Sequence, residues 1–157
     1  MSTCIQTENK VYFFGTGHSY IVGQEVFARA GGYAGFISML ENELGMNHAF
    51  KSTLIERTTE YVEVLLELYP FKKGDVIVMT SNSGRNALLI ELGLRLKDLG
   101  VSIIAITALD ASKIVLVDMR ADCACLSLDV VLDNRSVYGD ASLSHNDEIK
   151  QSLPQPS

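Results

Sequence analysis

The chain has 157 residues, 47% of them hydrophobic and 20% charged, with a net charge of −6. That length fits one domain able to bury a core without disulfides or metals. The acidic balance, with no Lys/Arg stripe, disfavours nucleic acid as a partner, and no uncharged apolar run approaches the ~20 residues a membrane helix needs.

The first nine residues are polar and are expected to form a flexible N-terminus before a domain spanning residues 10–143. Val11–Phe14 is a continuous apolar run entering glycine and reads as a buried strand. Residues 19–30 favour a helix, with Ile21, Val22, Val26, Phe27 and Ala30 on one side and Gly31-Gly32 as its stop. Residues 35–40 predict a short strand, and residues 42–51, without a clean period, predict a loop.

Ser52 or Thr53 is placed to cap a second helix, and with Thr53 as the cap Glu56 completes a capping box. Tyr61, Val62, Leu65, Leu66 and Leu68 give that helix a packing face up to Pro70. Residues 71–75 read as a turn and Val76–Met79 as a buried strand. A strongly periodic helix follows from Asn86 to Leu99, ended by Gly100. Residues 101–107 are rich in β-branched side chains and predict a third long strand. Residues 112–119 fit strand or helix equally, and Val130–Leu132 reads as a last strand. Beyond Gly139 the sequence turns polar, and residues 144–157 are expected to be a disordered tail. Apolar strands alternating with helices predict an α/β fold, a doubly wound and mostly parallel sheet with flanking helices.

Cys4, Cys123 and Cys125 make an odd, scattered set with no CxxC pair, so a reducing, cytoplasmic setting is expected. No signal-peptide pattern opens the chain. The histidines are not grouped at ligand spacing, and no metal site is expected.

Two loops carry the chemical signal. Gly15-Thr16-Gly17-His18-Ser19 links the first strand to the first helix, where glycines let the backbone approach a ligand and Ser19 sits beside exposed N–H groups. The plain structural alternative is a tight turn with a capping serine. A dinucleotide fingerprint needs a third glycine where Tyr20 stands, and no G-K-[ST] follows, so NAD and ATP are disfavoured and no cofactor is expected. The second loop runs Thr80-Ser81-Asn82-Ser83-Gly84-Arg85-Asn86, again from strand to helix. Ser81 and Ser83 offer hydroxyls, Gly84 permits a tight turn, and Asn86 stands where the helix opens, a cluster suited to a phosphoryl group. Open α/β sheets bind ligands at the carboxyl ends of their strands, where both loops fall.

These loops resemble those of the sugar isomerase (SIS) domain, a family of phosphosugar-binding doubly wound proteins. GTGHSYIVGQEVFARAGGY, KSTLIERTTEYVEVLLELY and KKGDVIVMTSNSGRNALLIELGLRLKDLGVSIIAIT resemble an uncharacterised subgroup of sugar isomerase domain-containing proteins, as do VVLDN and GDAS. The likeness covers residues 10–143. It implies that Ser81, Asn82, Ser83, Gly84 and Asn86 hold a phosphate and that Ser19 lines the same pocket. It also implies a sugar phosphate as ligand and a homodimer as assembly. Related phosphoheptose isomerases and etherases place a catalytic glutamate ten residues past the first-loop serine; here that residue is Arg29, so the role does not carry over. The subgroup's His-Glu pair near residues 45–49 is also replaced, by Met46-Asn47-His48.

Aldose–ketose isomerisation through an enediolate needs a base and a hydrogen-bond or proton donor. Glu25 and His48 are the catalytic candidates; Gly17, His18, Arg29 and Arg85 are candidate substrate contacts. Against these stand plainer readings: Glu25 as a surface acid paired with Arg29 one turn on, His18 and His48 as structural histidines, and Glu56 as a capping acid. Three functions remain in view: an isomerase, a non-catalytic phosphosugar sensor or remnant, and a sugar-phosphate ether lyase.

Overall fold

The apolar run after Lys10 forms strand β1 (Val11–Gly15) in the computed structural model, which describes residues 5–109 and 128–136. Strands β2 (Phe36–Ser38), β3 (Val76–Thr80), β4 (Ser102–Thr107) and β5 (Val130–Asp133) complete one sheet in the order β2-β1-β3-β4-β5, every neighbouring pair parallel. Period-two alternation splits β1 between two cores. Tyr12 and Phe14 join Ile77, Met79 and Ile103 on one face, while Val11 and Phe13 join Val76 and Val78 on the other. Burial pushes the Tyr12 phenol up to about 12, with the Asp75 charge adding to it.

Helix α1 (Tyr20–Val26) follows β1, and Val26 packs on the Val11–Phe13 face. Helices α2 (Ala49–Ile55), α3 (Tyr61–Leu68) and α4 (Ala87–Asp98) follow. From α3 and α4, Val62, Leu65, Leu88, Leu92 and Leu96 fill the opposite core. Leu88, Leu92 and Leu96 recur at helical spacing and are each wholly buried, worth roughly 1.5–3 kcal/mol apiece. The stop at Gly100 is a Schellman motif: Val101 N–H donates to the Leu96 carbonyl at 3.0 Å and Gly100 N–H to that of Lys97 at 2.9 Å. Gly100 takes φ +78, which other residues adopt only with strain.

Asp75 ties the sheet's entry edge together. Its buried carboxylate accepts from the backbone N–H of Lys10 and of Lys72, both at 2.8 Å, which offsets its desolvation.

The prediction departs from the structure in three places. The first helix is shorter than residues 19–30, because Phe27 is extended and Ala28 takes φ +50. Its inward residues are Tyr20 and Gly23, whereas Ile21 and Phe27 are exposed. Residues 42–51 are not a loop: 3-10 turns at Asn42–Leu44 and Met46–His48 run into α2. The second helix is two helices, and the capping box does not form. Ser52 lies inside α2, donating to the Leu44 carbonyl at 2.9 Å, and Glu56 stands at the helix's C-terminal end. Residues 112–119, the three cysteines and the 144–157 tail lie outside the described residues.

Candidate functional site between the first and second loops

The strand order β2-β1-β3 reverses direction across β1 and β3, so their carboxyl ends open onto a crevice where the connections diverge. Gly15 and Thr80 are paired there, which sets the two predicted loops side by side.

In the first loop, Gly15 is required by close approach: a Cβ there would lie 2.6 Å from the Ser19 carbonyl oxygen. Gly17 follows at φ +56 and opens a 3-10 turn, Gly17–Ser19, that carries the exposed His18. Ser19 N–H donates to the Thr16 carbonyl at 3.1 Å, and the Ser19 side chain makes no cap bond to α1.

In the second loop, Ser81 is buried and its hydroxyl accepts from Gly84 N–H at 3.1 Å, closing the loop on itself, with Gly84 at φ +65. Asn82 anchors the loop sideways. Its carbonyl accepts from the Thr107 hydroxyl and from Ala108 N–H, each at 3.3 Å, and its side chain accepts from the Asn134 amide at 3.0 Å. Ser83 is half-buried and Arg85 is exposed.

The loops are joined by a group of three polar side chains. The buried Thr16 hydroxyl donates to Glu56 Oε2 at 2.9 Å. Asn86 Nδ2 donates to both Thr16 Oγ1 and Glu56 Oε2, each at 3.0 Å. Asn86 is the N-cap of α4 but makes no side-chain cap bond; Leu88 N–H donates to the Glu56 carbonyl at 3.1 Å. Every hydrogen bond given to the Glu56 carboxylate among the described residues falls on Oε2, so Oε1 retains its acceptor capacity. A half-buried carboxylate held this way can take or return a proton at a ligand lying between the loops.

The other candidates stand apart from this group. Glu25 and Arg29 form an ion pair with side chains 68% and 63% exposed, as their spacing allows. His48 is exposed and caps α2, its Nδ1 accepting from Lys51 N–H at 3.3 Å. No hydrogen bond joins either to Thr16, Glu56 or Asn86 among the described residues.

Sequence reasoning missed Thr16 and the siting of Glu56. The polar, β-branched run Arg57-Thr58-Thr59 was the available signal: it interrupts the helical period and makes the chain turn just after Glu56. No described helix is long and apolar enough to cross a membrane.

A family model described as the SIS domain matches residues 1–108. The chain is 35% identical over 147 residues to a UPF0309 protein of Oceanobacillus iheyensis, covering 92% of this chain and 60% of that protein. It is 38% identical over 138 residues to a UPF0309 protein of Brucella anthropi, covering 87% and 56%. The chain thus spans less than two thirds of the length of either relative. Among solved structures, phosphoheptose isomerase GmhA from Neisseria gonorrhoeae aligns with TM-score 0.55 at 23% identity, covering 83% of this chain and 65% of that one. A phosphoheptose isomerase from Francisella tularensis aligns at 0.54 and 14%, covering 87% and 69%. At such identities these two establish a shared fold.

Proposed function

The chain belongs to the SIS domain family, and from that premise we propose that it binds a sugar phosphate between its two loops and isomerises it through an enediolate. Ser83, Gly84 and the α4 N-terminus take the phosphate in this reading, with Ser19 on the facing loop. Ser81 and Asn82 shape the loop through the bonds already described.

The observation that carries the reading is the convergence of Thr16 and Asn86 on one carboxylate oxygen of Glu56. A base that must act on a C–H bond gains from being held in place before the substrate arrives. Glu56 takes a proton from C2 of the aldose, a C1–C2 double bond forms, and the charge rests on the C1 oxygen. The same group returns the proton to C1 while the O2 hydroxyl proton passes to O1, giving the ketose. Loop N–H groups and His18, on the first loop, are the donors for the enediolate oxygens. Glu56 therefore takes the role that sequence alone assigned to Glu25 or His48. A cytoplasmic homodimer belongs to the same proposal, with the exposed Phe50 and Leu54 of α2 as apolar surface for a second copy.

Ser83→Ala is the direct test. Loss of sugar-phosphate binding with an unchanged unfolding midpoint is expected, and unchanged binding would refute the phosphate-loop assignment.

A further inference from the structure

Strands β4 and β5 end in register, Thr107 beside Asp133, and the turn that follows β5 meets the second loop. Asn134 N–H donates to the Thr107 carbonyl at 2.9 Å, which carries the ladder of the sheet one residue further. Asp133 Oδ1 accepts from Leu109 N–H at 3.1 Å and from Arg135 N–H at 2.9 Å. The second of these bonds holds Arg135 at φ +55, a backbone conformation that is costly for arginine and persists only where its surroundings impose it. The turn is thus fixed by bonds to both strand ends.

The Asn134 carboxamide is used at both of its atoms, and its partners fix which way round it stands. Ser136 N–H can only donate, so it faces Asn134 Oδ1, at 3.0 Å. Nδ2 is then left to donate to Asn82 Oδ1, also at 3.0 Å. The Asn82 carbonyl is held as well, by the Thr107 hydroxyl and Ala108 N–H. Asn82 is exposed, and exposed loop segments without such bonds open at little cost. Ser83 and Gly84 follow it directly in the chain, so the bond that holds Asn82 bears on where their hydroxyl and N–H groups stand.

We propose that Asn134 is a positioning residue for phosphate binding: it acts through Asn82 and orders residues 83 and 84 before a ligand arrives. A loop ordered in advance loses less freedom on binding and holds its ligand more tightly. The inference rests on the phosphate reading of residues 81–86. It adds a residue beyond the segment that the SIS family model matches, which stops at residue 108.

A double-mutant cycle of Asn82→Ala and Asn134→Ala tests it. The full chain is titrated with inorganic phosphate, and binding is followed by nuclear magnetic resonance at the Gly84 amide. Asn134→Ala is expected to weaken phosphate binding by about three- to tenfold, the worth of one hydrogen bond. The double variant is expected to bind no more weakly than Asn82→Ala alone, because both substitutions remove the same bond. Should Asn134→Ala lower the unfolding midpoint, Asn134→Ser serves with the same readout. Its hydroxyl can accept from Ser136 N–H but is too short to reach Asn82. Unchanged phosphate affinity in both Asn134 variants would make the bond merely structural and overturn the positioning role, while the phosphate reading stands. A loss that Asn134→Ala still adds to that of Asn82→Ala would equally overturn action through Asn82. Absence of phosphate binding by the parent protein would overturn the phosphate reading and this inference with it.

Discussion

Asn86 begins helix α4 yet gives its side chain to Glu56, Nδ2 donating to Oε2 at 3.0 Å. An N-cap asparagine ordinarily accepts a hydrogen bond from the first turn of its own helix. Here the Glu56 carbonyl accepts from Leu88 N–H, and the Asn86 amide donates to the Glu56 carboxylate. Glu56 is thus fixed at both its backbone and its side chain by the helix that follows the second loop, and Thr16 fixes it to the first.

Replacing Asn86 should therefore cost more than a lost cap. In Asn86→Ala, Thr16 and Glu56 lose a shared donor in a half-buried site, a penalty of about 1–3 kcal/mol. Asn86→Asp is expected to be worse, since it sets a second carboxylate against Glu56. Thermal unfolding of the two variants checks both the loss and its order. A variant as stable as the parent would show that the network does not hold the loops.

Glu56→Gln keeps an acceptor and the side chain's shape but removes the base. Turnover of any sugar phosphate that the protein isomerises is expected to fall by about 10²–10⁴-fold, with binding retained. Uptake of deuterium at C2 from heavy water should fall with it. Glu25→Gln, altering an exposed ion pair, should leave both rates within about twofold, as weak surface pairs imply. Equal losses in the two variants would remove the distinction drawn between these acids.

Gly15→Ala tests the close packing of the first loop. Its methyl group meets the Ser19 carbonyl oxygen, a backbone atom that moves only with the turn. Overpacking of this kind costs about 1–3 kcal/mol, and here it should also weaken sugar-phosphate binding by displacing Ser19. Binding and unfolding measured on the same sample separate the two effects.

The fold was largely legible in sequence; the side-chain group joining the two loops was not. Val11–Phe14, Val76–Met79 and residues 101–107 announced buried parallel strands because continuous β-branched and aromatic runs have few other uses. The α4 pattern and its Gly100 stop were equally clear. What could not be read was tertiary. Thr53 and Glu56 fit a capping box by spacing, but the helix had begun earlier, at Ala49, and Ser52 turned inward to Leu44. The nearness of Asn86 to Thr16 depends on the sheet order placing β1 beside β3, a long-range pairing that local patterns do not encode. Glu25 and Arg29 show the converse: spacing alone identified their ion pair.

A stability test lies on the far edge of the sheet. Asp129 Oδ2 accepts from Ile103 N–H at 2.7 Å, and Lys97 Nζ lies 2.9 Å away. Burial pushes the Asp129 carboxyl upward, but the Ile103 and Lys97 bonds outweigh it and hold the group below its ordinary range. A depressed folded value means stabilisation that is present above the unfolded value and lost as pH falls through the folded one. Asp129→Asn should therefore be less stable near neutrality, by about 1 kcal/mol or less for so exposed a pair. The difference should begin to shrink as pH falls to about 4, the ordinary aspartate value, and vanish only below the lower folded value. Unfolding midpoints of both proteins across that range check the sign.

The central claim is that one ligand spans the two loops with Glu56 beside its carbonyl carbons. A crystal structure of the chain with a bound sugar phosphate tests this most directly. Phosphate is expected against Ser83, Gly84 and the start of α4, with C1 or C2 within reach of Glu56 Oε1. A phosphate seated elsewhere, or a sugar turned so that no ionisable side chain faces C1 or C2, would contradict it.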